Sequence, residues 1–204
     1  TDDGTPKIVV LSAMSGTTNS MVAISDYVRK GNPEGAGITI THLRRKYREH
    51  IPQLYATEEM RQCTRQLIDN IFLDIHDLCG MKFSESIEKE ILSKGELIST
   101  HMVTNYLKEQ HVEAVLIPAL EYMRIDKNGE PDMHYIREHL QLQLDANPGY
   151  DIYITQGFIC RNAAGEVDNL QRGGSDYTAT LIGASIRAEE VQIWTDIDGM
   201  HNND

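Results

Sequence analysis

The strongest chemical signal in the sequence is the run Arg172-Gly173-Gly174-Ser175-Asp176, which precedes an apolar segment of helical character. Two consecutive glycines let the backbone approach a ligand closely, and Ser175 is a suitable N-cap for the following helix. The free N–H groups of a helix N-terminus attract anions, and the forked guanidinium of Arg172 matches a carboxylate or phosphate. The run therefore suggests an anion-binding turn. A capped helix behind a flexible loop is the simpler explanation when the run is considered alone.

Three further segments carry weaker signals. Ser12–Asn19 contains small hydroxyl residues and a glycine after a strand-like run, where open α/β sheets bind ligands; an ordinary turn with Thr18 as N-cap is the alternative. Glu96 follows Gly95 and is expected in a helix's first turn, where the dipole favours a carboxylate. The turn that includes Thr195 and Asp196 ends the last strand-like run. Such a turn can face a nucleotide or simply reverse the chain.

Composition and charge exclude several classes of function. With 19 Lys and Arg against 31 Asp and Glu, the formal charge is −12, which argues against binding nucleic acid but leaves room for local cations at an anionic substrate. No apolar stretch is long enough to predict a membrane span. The 3 cysteines form no CxxC pair, which favours a reducing cytoplasm over a disulfide framework. Histidine spacing matches no metal site, so we expect no protein-bound metal.

The elements that position these residues alternate between strands and helices. Strands are predicted at Lys7–Ser12, Val112–Ile117, Tyr150–Thr155 and Val191–Thr195. Helices are predicted from the Ser15–Thr17 turn to about Gly31, over Thr41–Cys79, over Glu85–Leu107 with a break at Lys94-Gly95, over His134–Leu144 and over Ser175–Ile186, with a loop at Gly31–Gly37. The length of 204 residues suits one domain. The alternation predicts an α/β fold with a largely parallel sheet.

Four segments in this order resemble the aspartate kinases of the amino acid kinase family. They are IVVLSAMSGTTN (Ile8–Asn19), KGELIST (Lys94–Thr100), ITQGFI (Ile154–Ile159) and QRGGSDYTATLIGASIRAEEVQIWTDIDGM (Gln171–Met200). The resemblance covers nearly the whole chain, and its last segment is long and specific. It implies a three-layer αβα sandwich with a largely parallel sheet, the amino acid kinase fold, and a helical sub-lobe at about residues 41–107.

The resemblance also implies an activity and roles for individual residues. The enzyme would transfer the γ-phosphoryl group of ATP, bound with Mg²⁺, to the β-carboxylate of L-aspartate, the first step of lysine, threonine and methionine biosynthesis. Thr18 would lie beside the aspartate, Glu96 would hold its ammonium group, and Arg172 would pair with its α-carboxylate. Ser175 and Asp176 would lie at the phosphoryl-transfer centre, with Asp176 positioning a catalytic lysine.

Nucleotide contacts are expected by the same resemblance at Gly173, Gly174, Thr195 and Asp196. The family's Lys-Phe-Gly-Gly segment, whose lysine contacts the transferred phosphate, does not occur in the sequence, and neither do a later nucleotide segment or the C-terminal ACT regulatory region. We therefore expect a catalytic domain truncated at both ends, with little or no kinase activity by itself. Its parent is expected to be a cytoplasmic homo-oligomer.

Three other functions are alternatives to this interpretation. Another amino acid kinase would act on glutamate, N-acetylglutamate or a carbamate; Glu96 and the Asp-rich turn weigh against it. A non-catalytic module derived from a kinase would not need the combination of Glu96, Arg172 and Asp176. A nicotinamide oxidoreductase is disfavoured because no G-x-G-x-x-G follows a strand.

Overall fold

The computed structural model describes residues 4–170 and 173–195. Within these ranges the strands are β1 (Lys7–Leu11), β2 (Ala114–Leu116), β3 (Ile152–Gln156), β4 (Ile159–Arg161) and β5 (Val167–Asn169). The helices of the same ranges are α1 (Thr17–Arg29), α2 (Pro33–Leu54), α3 (Glu58–Cys79), α4 (Glu85–Glu109), α5 (Met133–Ala146) and α6 (Gly174–Ile186). A short 3-10 helix, Ala119–Glu121, follows β2. The predicted alternation of strands and helices is confirmed.

β1, β3 and β2 form a parallel sheet in that order, with β3 in the middle. Lys7 pairs with Ile152 and Leu11 pairs with Gln156, so β1 and β3 end at the same edge. An antiparallel hairpin of β4 and β5 follows β3 directly. The carboxyl edge of a parallel sheet is where α/β folds place their ligands, and the predicted segment Ser12–Asn19 directly follows β1.

Helices cover both faces of the parallel sheet. On one face, Nε2 of Gln156 donates to Oγ1 of Thr100 on α4 over 2.9 Å. On the other, the hydroxyl of Tyr153 donates to the carbonyl of Asn147 at the end of α5 over 2.7 Å. Residues three apart in a strand point to opposite faces. The sheet therefore lies between helices, which confirms the three-layer αβα sandwich.

Two apolar clusters form the core. The helical cluster joins α1–α4 and contains buried residues that include Met21, Ile24, Leu43, Tyr47, Ile51, Tyr55, Ile68, Phe72, Ile75, Ile91, Ile98 and Met102. The sheet cluster contains buried residues that include Ile117, Tyr122, Ile136, Leu140, Tyr153, Ile159, Cys160, Leu181 and Ile182. Helix α4 borders both clusters, because Ile98 belongs to the first and Leu97 packs against the second.

The boundaries of α2 and α3 differ from the prediction. Pro33 lies in the first turn of α2, and Oδ1 of Asn32 accepts the N–H of Gly35 over 2.9 Å. A proline is tolerated there because its missing N–H has no partner inside the helix. The predicted loop over Gly31–Gly37 is therefore wrong beyond Asn32. The predicted helix Thr41–Cys79 is two helices separated by residues 55–57, where Thr57 caps α3.

Helix α4 is continuous, so the predicted break at Lys94-Gly95 is wrong. Glycine disfavours a helix interior, but here it permits a close contact. A Cβ at Gly95 would lie 2.9 Å from Cβ of Ala13 and 3.1 Å from Cγ2 of Thr17. The packing of α4 against the start of α1 therefore requires a glycine at this position.

Residues 191–195 do not form the predicted fourth strand in the described part of the chain. All five are exposed, and the Trp194 side chain is 87% exposed. Val191 packs against α6, where a Cβ at Gly183 would lie 2.3 Å from Cγ2 of Val191.

No helix among the described residues is long and apolar enough to cross a lipid bilayer.

Candidate functional site

The candidate site lies at the carboxyl edge of the sheet, beyond β1 and β3. The N–H of Gly157 donates to the carbonyl of Leu11 over 3.0 Å and ties the two strand ends together. The chain then enters the β1–α1 turn, residues 12–16. Gly16 has a φ of 76° and is the N-cap of α1, a left-handed conformation that favours glycine. Thr18, the alternative N-cap from the sequence, lies instead within the first turn of α1 and is exposed.

Glu96 is a buried carboxylate in the middle of α4, so its predicted place in a first helical turn is wrong. It is 4% exposed, and its Oε1 accepts the backbone N–H of Ala13 over 3.3 Å. Burial raises its pKa from 4.5 to about 7, while the backbone N–H groups of Glu96 and Ala13 oppose the shift. No cation of the described residues contributes to this balance. A carboxylate that is buried without a cation favours binding of a ligand's ammonium group, because the pair offsets the desolvation of both charges.

The turn of α4 that follows Glu96 contacts the β1–α1 turn and the end of β3. The Ser99 hydroxyl donates to the carbonyl of Ser12 over 2.7 Å. The Thr100 hydroxyl donates to the carbonyl of Glu96 over 2.7 Å and accepts a hydrogen bond from Gln156. Oε1 of Gln156 in turn accepts the N–H of Ala119 over 2.8 Å. This buried polar network links the ends of β3 and β2 to the helical turn that carries Glu96.

Thr17, the first residue of α1, is buried, whereas its neighbour Thr18 is exposed. Thr17 is fully buried, and its hydroxyl lies 2.8 Å from the Tyr47 hydroxyl on α2. Burial raises the pKa of Tyr47 to about 12, and its hydrogen bond with Thr17 opposes this shift. Tyr47 is therefore neutral at physiological pH. The pair was not predictable from the sequence, because Tyr47 occupies an apolar position of an amphipathic helix and belongs to no motif.

The start of α6 packs directly on the end of β3. Gly173 has a φ of 83° and is the N-cap, so the prediction that Ser175 caps α6 is wrong. A Cβ at Gly157 would lie 2.5 Å from Oγ of Ser175. Thr178 accepts the N–H of Phe158 over 3.1 Å and so links α6 to the same turn. No side chain of the described residues caps α6, and its first N–H groups are available to an anion.

The β4–β5 hairpin is fastened to α4 by an ion pair. Nζ of Lys89 lies 2.7 Å from Oδ2 of Asp168, whose side chain is 8% exposed. Nδ2 of Asn169 donates to the carbonyl of Lys89 over 3.2 Å. Leu170 then donates its N–H to the carbonyl of Phe158 over 2.7 Å and leads toward the start of α6. The hairpin thus connects the helix that carries Glu96 with the glycine pair before Ser175.

The structure brings together several of the predicted residues. Glu96 and Ser175 each pack against the linked ends of β1 and β3. Asp176 lies in the first turn of α6 and is exposed. Thr195 is exposed at the end of residues 191–195. The predicted roles of Arg172 and Asp196 fall outside the described residues.

Comparison with known proteins agrees with this architecture. The model of the amino acid kinase family matches residues 1–204. The chain is 33% identical over 205 residues to the lysine-sensitive aspartokinase 3 of Escherichia coli (strain K12), a match that covers 99% of this chain and 45% of the relative.

Two solved structures of E. coli aspartokinase III are also similar. The complex with aspartate and ADP (R-state) has a TM-score of 0.82 and 32% identity, and the match covers 95% of this chain and 43% of that chain. The complex with lysine and aspartate (T-state) has a TM-score of 0.84 and 31% identity over the same shares. The chain thus spans less than half the length of these relatives. Because the family model matches every residue and the fold agrees, the chain belongs to the amino acid kinase family.

Proposed function

We propose that this chain carries the amino-acid site and the phosphoryl-transfer centre of an aspartate kinase. The observation that carries the proposal is the buried Glu96 carboxylate, which has no cation partner among the described residues and lies at the sheet edge where α6 begins. The similar E. coli aspartokinase III was crystallised with aspartate and ADP. A site that presents a lone carboxylate near a free helix N-terminus suits a ligand with one ammonium group and anionic groups.

In the proposed complex, Glu96 accepts hydrogen bonds from the aspartate ammonium group. Arg172 pairs with the α-carboxylate, since a guanidinium binds a carboxylate through two parallel hydrogen bonds. Thr18 lies beside the substrate at the first turn of α1. With both backbone charges held, the side-chain carboxylate is directed toward the nucleotide. This arrangement separates aspartate from acids that lack a free ammonium group, because they would leave Glu96 unpaired.

The reaction joins a β-carboxylate oxygen of aspartate to the γ-phosphorus of ATP and breaks the bond between that phosphorus and the β–γ bridging oxygen, which leaves with ADP. The carboxylate is already ionised near neutral pH, so no strong general base is needed. Catalysis then depends on alignment and on neutralising the charge of the transferred group. We assign the neutralisation of this charge to the N–H groups of Gly173, Gly174 and Ser175. Asp176 is proposed to position a catalytic lysine.

Thr195 and Asp196 are proposed to contact the nucleotide. Mg²⁺, bound with ATP, would neutralise phosphate charge. In the described residues, no group of three or more His, Cys, Asp or Glu side chains could hold a metal. A magnesium ion that is held mainly by phosphates and water needs only one or two carboxylates, so the residues present are compatible with an ion that arrives with the nucleotide.

The cellular compartment, oligomeric state and pathway of the enzyme are also proposed. The three cysteines are free in the structure, as is usual for a reducing cytoplasm. We infer a homo-oligomeric parent protein that acts early in the synthesis of lysine, threonine and methionine. The net charge of −12 weighs against nucleic acid as a partner, and no membrane association is proposed.

An acceptor panel tests the proposal. The gene product that contains this chain is incubated with ATP, Mg²⁺ and either aspartate, glutamate or N-acetylglutamate, and ADP release is followed. We expect turnover with aspartate and little with the other two acids. Glu96→Ala should abolish aspartate-dependent turnover, whereas Glu85→Ala, at an exposed position of the same helix, should not. Preference for another acid, or full activity of Glu96→Ala, would contradict the proposal.

A further inference from the structure

Helix α2 contacts the β1–α1 turn and the first residue of α1 through two side chains that have no role in the proposed reaction. The Tyr47 hydroxyl lies 2.8 Å from Oγ1 of Thr17, and both residues are fully buried. Lys46, the preceding residue of α2, donates from Nζ to the carbonyl of Ser15. Consecutive residues of α2 therefore bond to the turn and to the first residue of α1.

Helix α4 contacts the same turn from another side. Ala13 and Thr17 pack directly on Gly95. A Cβ added to Gly95 would lie 2.9 Å from Cβ of Ala13 and 3.1 Å from Cγ2 of Thr17. The next residue of α4, Glu96, accepts the N–H of Ala13 over 3.3 Å. Thr17 is also tied to the residue after Ala13, because its N–H donates to the carbonyl of Met14 over 2.9 Å, so we expect a shift of Thr17 to displace Ala13. The N–H that faces the carboxylate of Glu96 would move as well.

We propose that Tyr47 is a positioning residue for the amino-acid substrate: through its hydrogen bond to Thr17 it holds the β1–α1 turn against α4 and fixes that turn relative to Glu96. The inference rests on the proposed function, which assigns the substrate ammonium group to Glu96. The hydrogen bond suits this task because its two hydroxyls are shielded from water. Loss of either partner leaves the other buried and unpaired, so the pair strongly favours one arrangement of the turn.

The chain supplies a matched control for the loss of a buried tyrosine hydroxyl. Tyr55 follows α2 and is 2% exposed. Its hydroxyl donates to the carbonyl of Met102 over 2.7 Å. Both tyrosines belong to the helical cluster, but the bond of Tyr55 ends on the last third of α4 and not on the β1–α1 turn. Tyr55→Phe therefore reproduces the chemical change of Tyr47→Phe away from the site.

The test compares these variants in the gene product that contains the chain, with steady-state kinetics in aspartate and in ATP. Tyr47→Phe should raise the KM for aspartate about tenfold, equivalent to about 1.4 kcal/mol, and leave the KM for ATP unchanged. Tyr55→Phe should leave both KM values unchanged. Thermal unfolding of both variants shows how much stability each hydroxyl contributes, so a general loss of stability is separated from a selective loss of aspartate binding.

Variants of Thr17 test whether Tyr47 acts through its hydrogen bond to the Thr17 hydroxyl. Thr17→Val removes the hydroxyl at nearly constant shape and should raise the KM for aspartate as Tyr47→Phe does. The double variant should be no worse than either single variant, because both remove the same bond. Thr17→Ser keeps the hydroxyl and should retain the wild-type KM, which also provides a readout if Tyr47→Phe fails to fold.

The experiment distinguishes failure of the proposed function from failure of the proposed role of Tyr47. A wild-type protein that does not phosphorylate aspartate refutes the proposed function, and the role of Tyr47 at an aspartate site with it. A wild-type protein that does so, with the same KM for aspartate in Tyr47→Phe and Tyr55→Phe, refutes the role of Tyr47 alone. Additive effects of Tyr47→Phe and Thr17→Val would also overturn it, because they would show that the two residues act separately.

Discussion

Replacing Glu96 by glutamine should stabilise the fold at neutral and alkaline pH. Burial raises the pKa of this carboxyl group from 4.5 to about 7, so the folded protein retains a proton there that the unfolded chain has already released. Between these two values the folded state binds more protons, and its stability from this group decreases as the pH rises. Glutamine resembles the protonated acid, and its side-chain oxygen can still accept the N–H of Ala13.

The size of the effect follows from the two pKa values of Glu96. Each pH unit between them corresponds to about 1.4 kcal/mol, so the whole interval from 4.5 to about 7 amounts to about 3 kcal/mol. The contribution of the protonated carboxyl group to stability is fully present below pH 4.5 and is lost as the pH rises through about 7. Because Glu96 is only 4% exposed, screening by solvent reduces this figure little.

The assay is urea unfolding of the wild type and Glu96→Gln at several pH values from 5 to 8. The stability of the variant relative to the wild type should increase by about 2 to 3 kcal/mol between pH 5 and pH 8. Glu85→Gln makes the same chemical change at an exposed position of α4 and should show no comparable pH-dependent gain. A constant difference between Glu96→Gln and the wild type at every pH would refute the reasoning, because it would show that Glu96 titrates alike in the folded and unfolded states.

Three other measurements follow from the structure. If Glu96 must be ionised to hold the substrate ammonium group, the KM for aspartate should fall as the pH rises through about 7, which initial rates from pH 6 to 8 will show; a flat profile would contradict this role. Gly157→Ala should destabilise the protein by about 1–3 kcal/mol, since its Cβ would lie 2.5 Å from a side-chain oxygen of α6. Gly37→Ala, whose Cβ would meet nothing within 4 Å, is the control in thermal unfolding. The Cys160 thiol, whose pKa burial raises to about 12, should resist a thiol reagent at pH 8 while the exposed Cys63 reacts; rapid modification of Cys160 in the native protein would disprove this.

The parallel sheet was predictable because its strands are short apolar runs. β1 lies within Lys7–Ser12, and β2 lies within Val112–Ile117. β3 overlaps the predicted run Tyr150–Thr155. Residues 191–195 show the same kind of pattern but form no strand in the described structure. A strand requires hydrogen bonds from a neighbouring strand, and a local sequence pattern does not reveal whether that neighbour is present.

The sequence predicted Glu96 in the first turn of a helix, whereas it lies in the middle of α4. Gly95 suggested a helix end, since glycine is unfavourable inside helices. Its true role depends on the contact with Ala13, 82 positions earlier in the chain, which only the folded structure reveals. Burial raises the pKa of the Glu96 carboxyl group, and this carboxylate is not in a first helical turn where a helix dipole would act on it.

The Thr17–Tyr47 pair lay beyond sequence analysis for a related reason. Tyr47 occupies an apolar position of α2, where an aromatic residue is adequately explained by packing. Its hydrogen bond joins residues 30 positions apart in sequence, and no local motif marks it. By contrast, a helix beginning in the run Gly173 to Asp176 could be predicted, because its glycines and the helix are adjacent in sequence. α6 does begin there, at Gly174.

The most direct test of the central claim is detection of the product. The gene product that contains this chain is incubated with ATP, Mg²⁺ and aspartate in the presence of hydroxylamine, which traps an acyl phosphate as a hydroxamate. Mass spectrometry should reveal the β-hydroxamate of aspartate, formed only when ATP is present and lost in Glu96→Ala. Hydrolysis of ATP without any aspartyl hydroxamate, or the same yield from Glu96→Ala, would contradict the assignment of this site to the phosphorylation of aspartate.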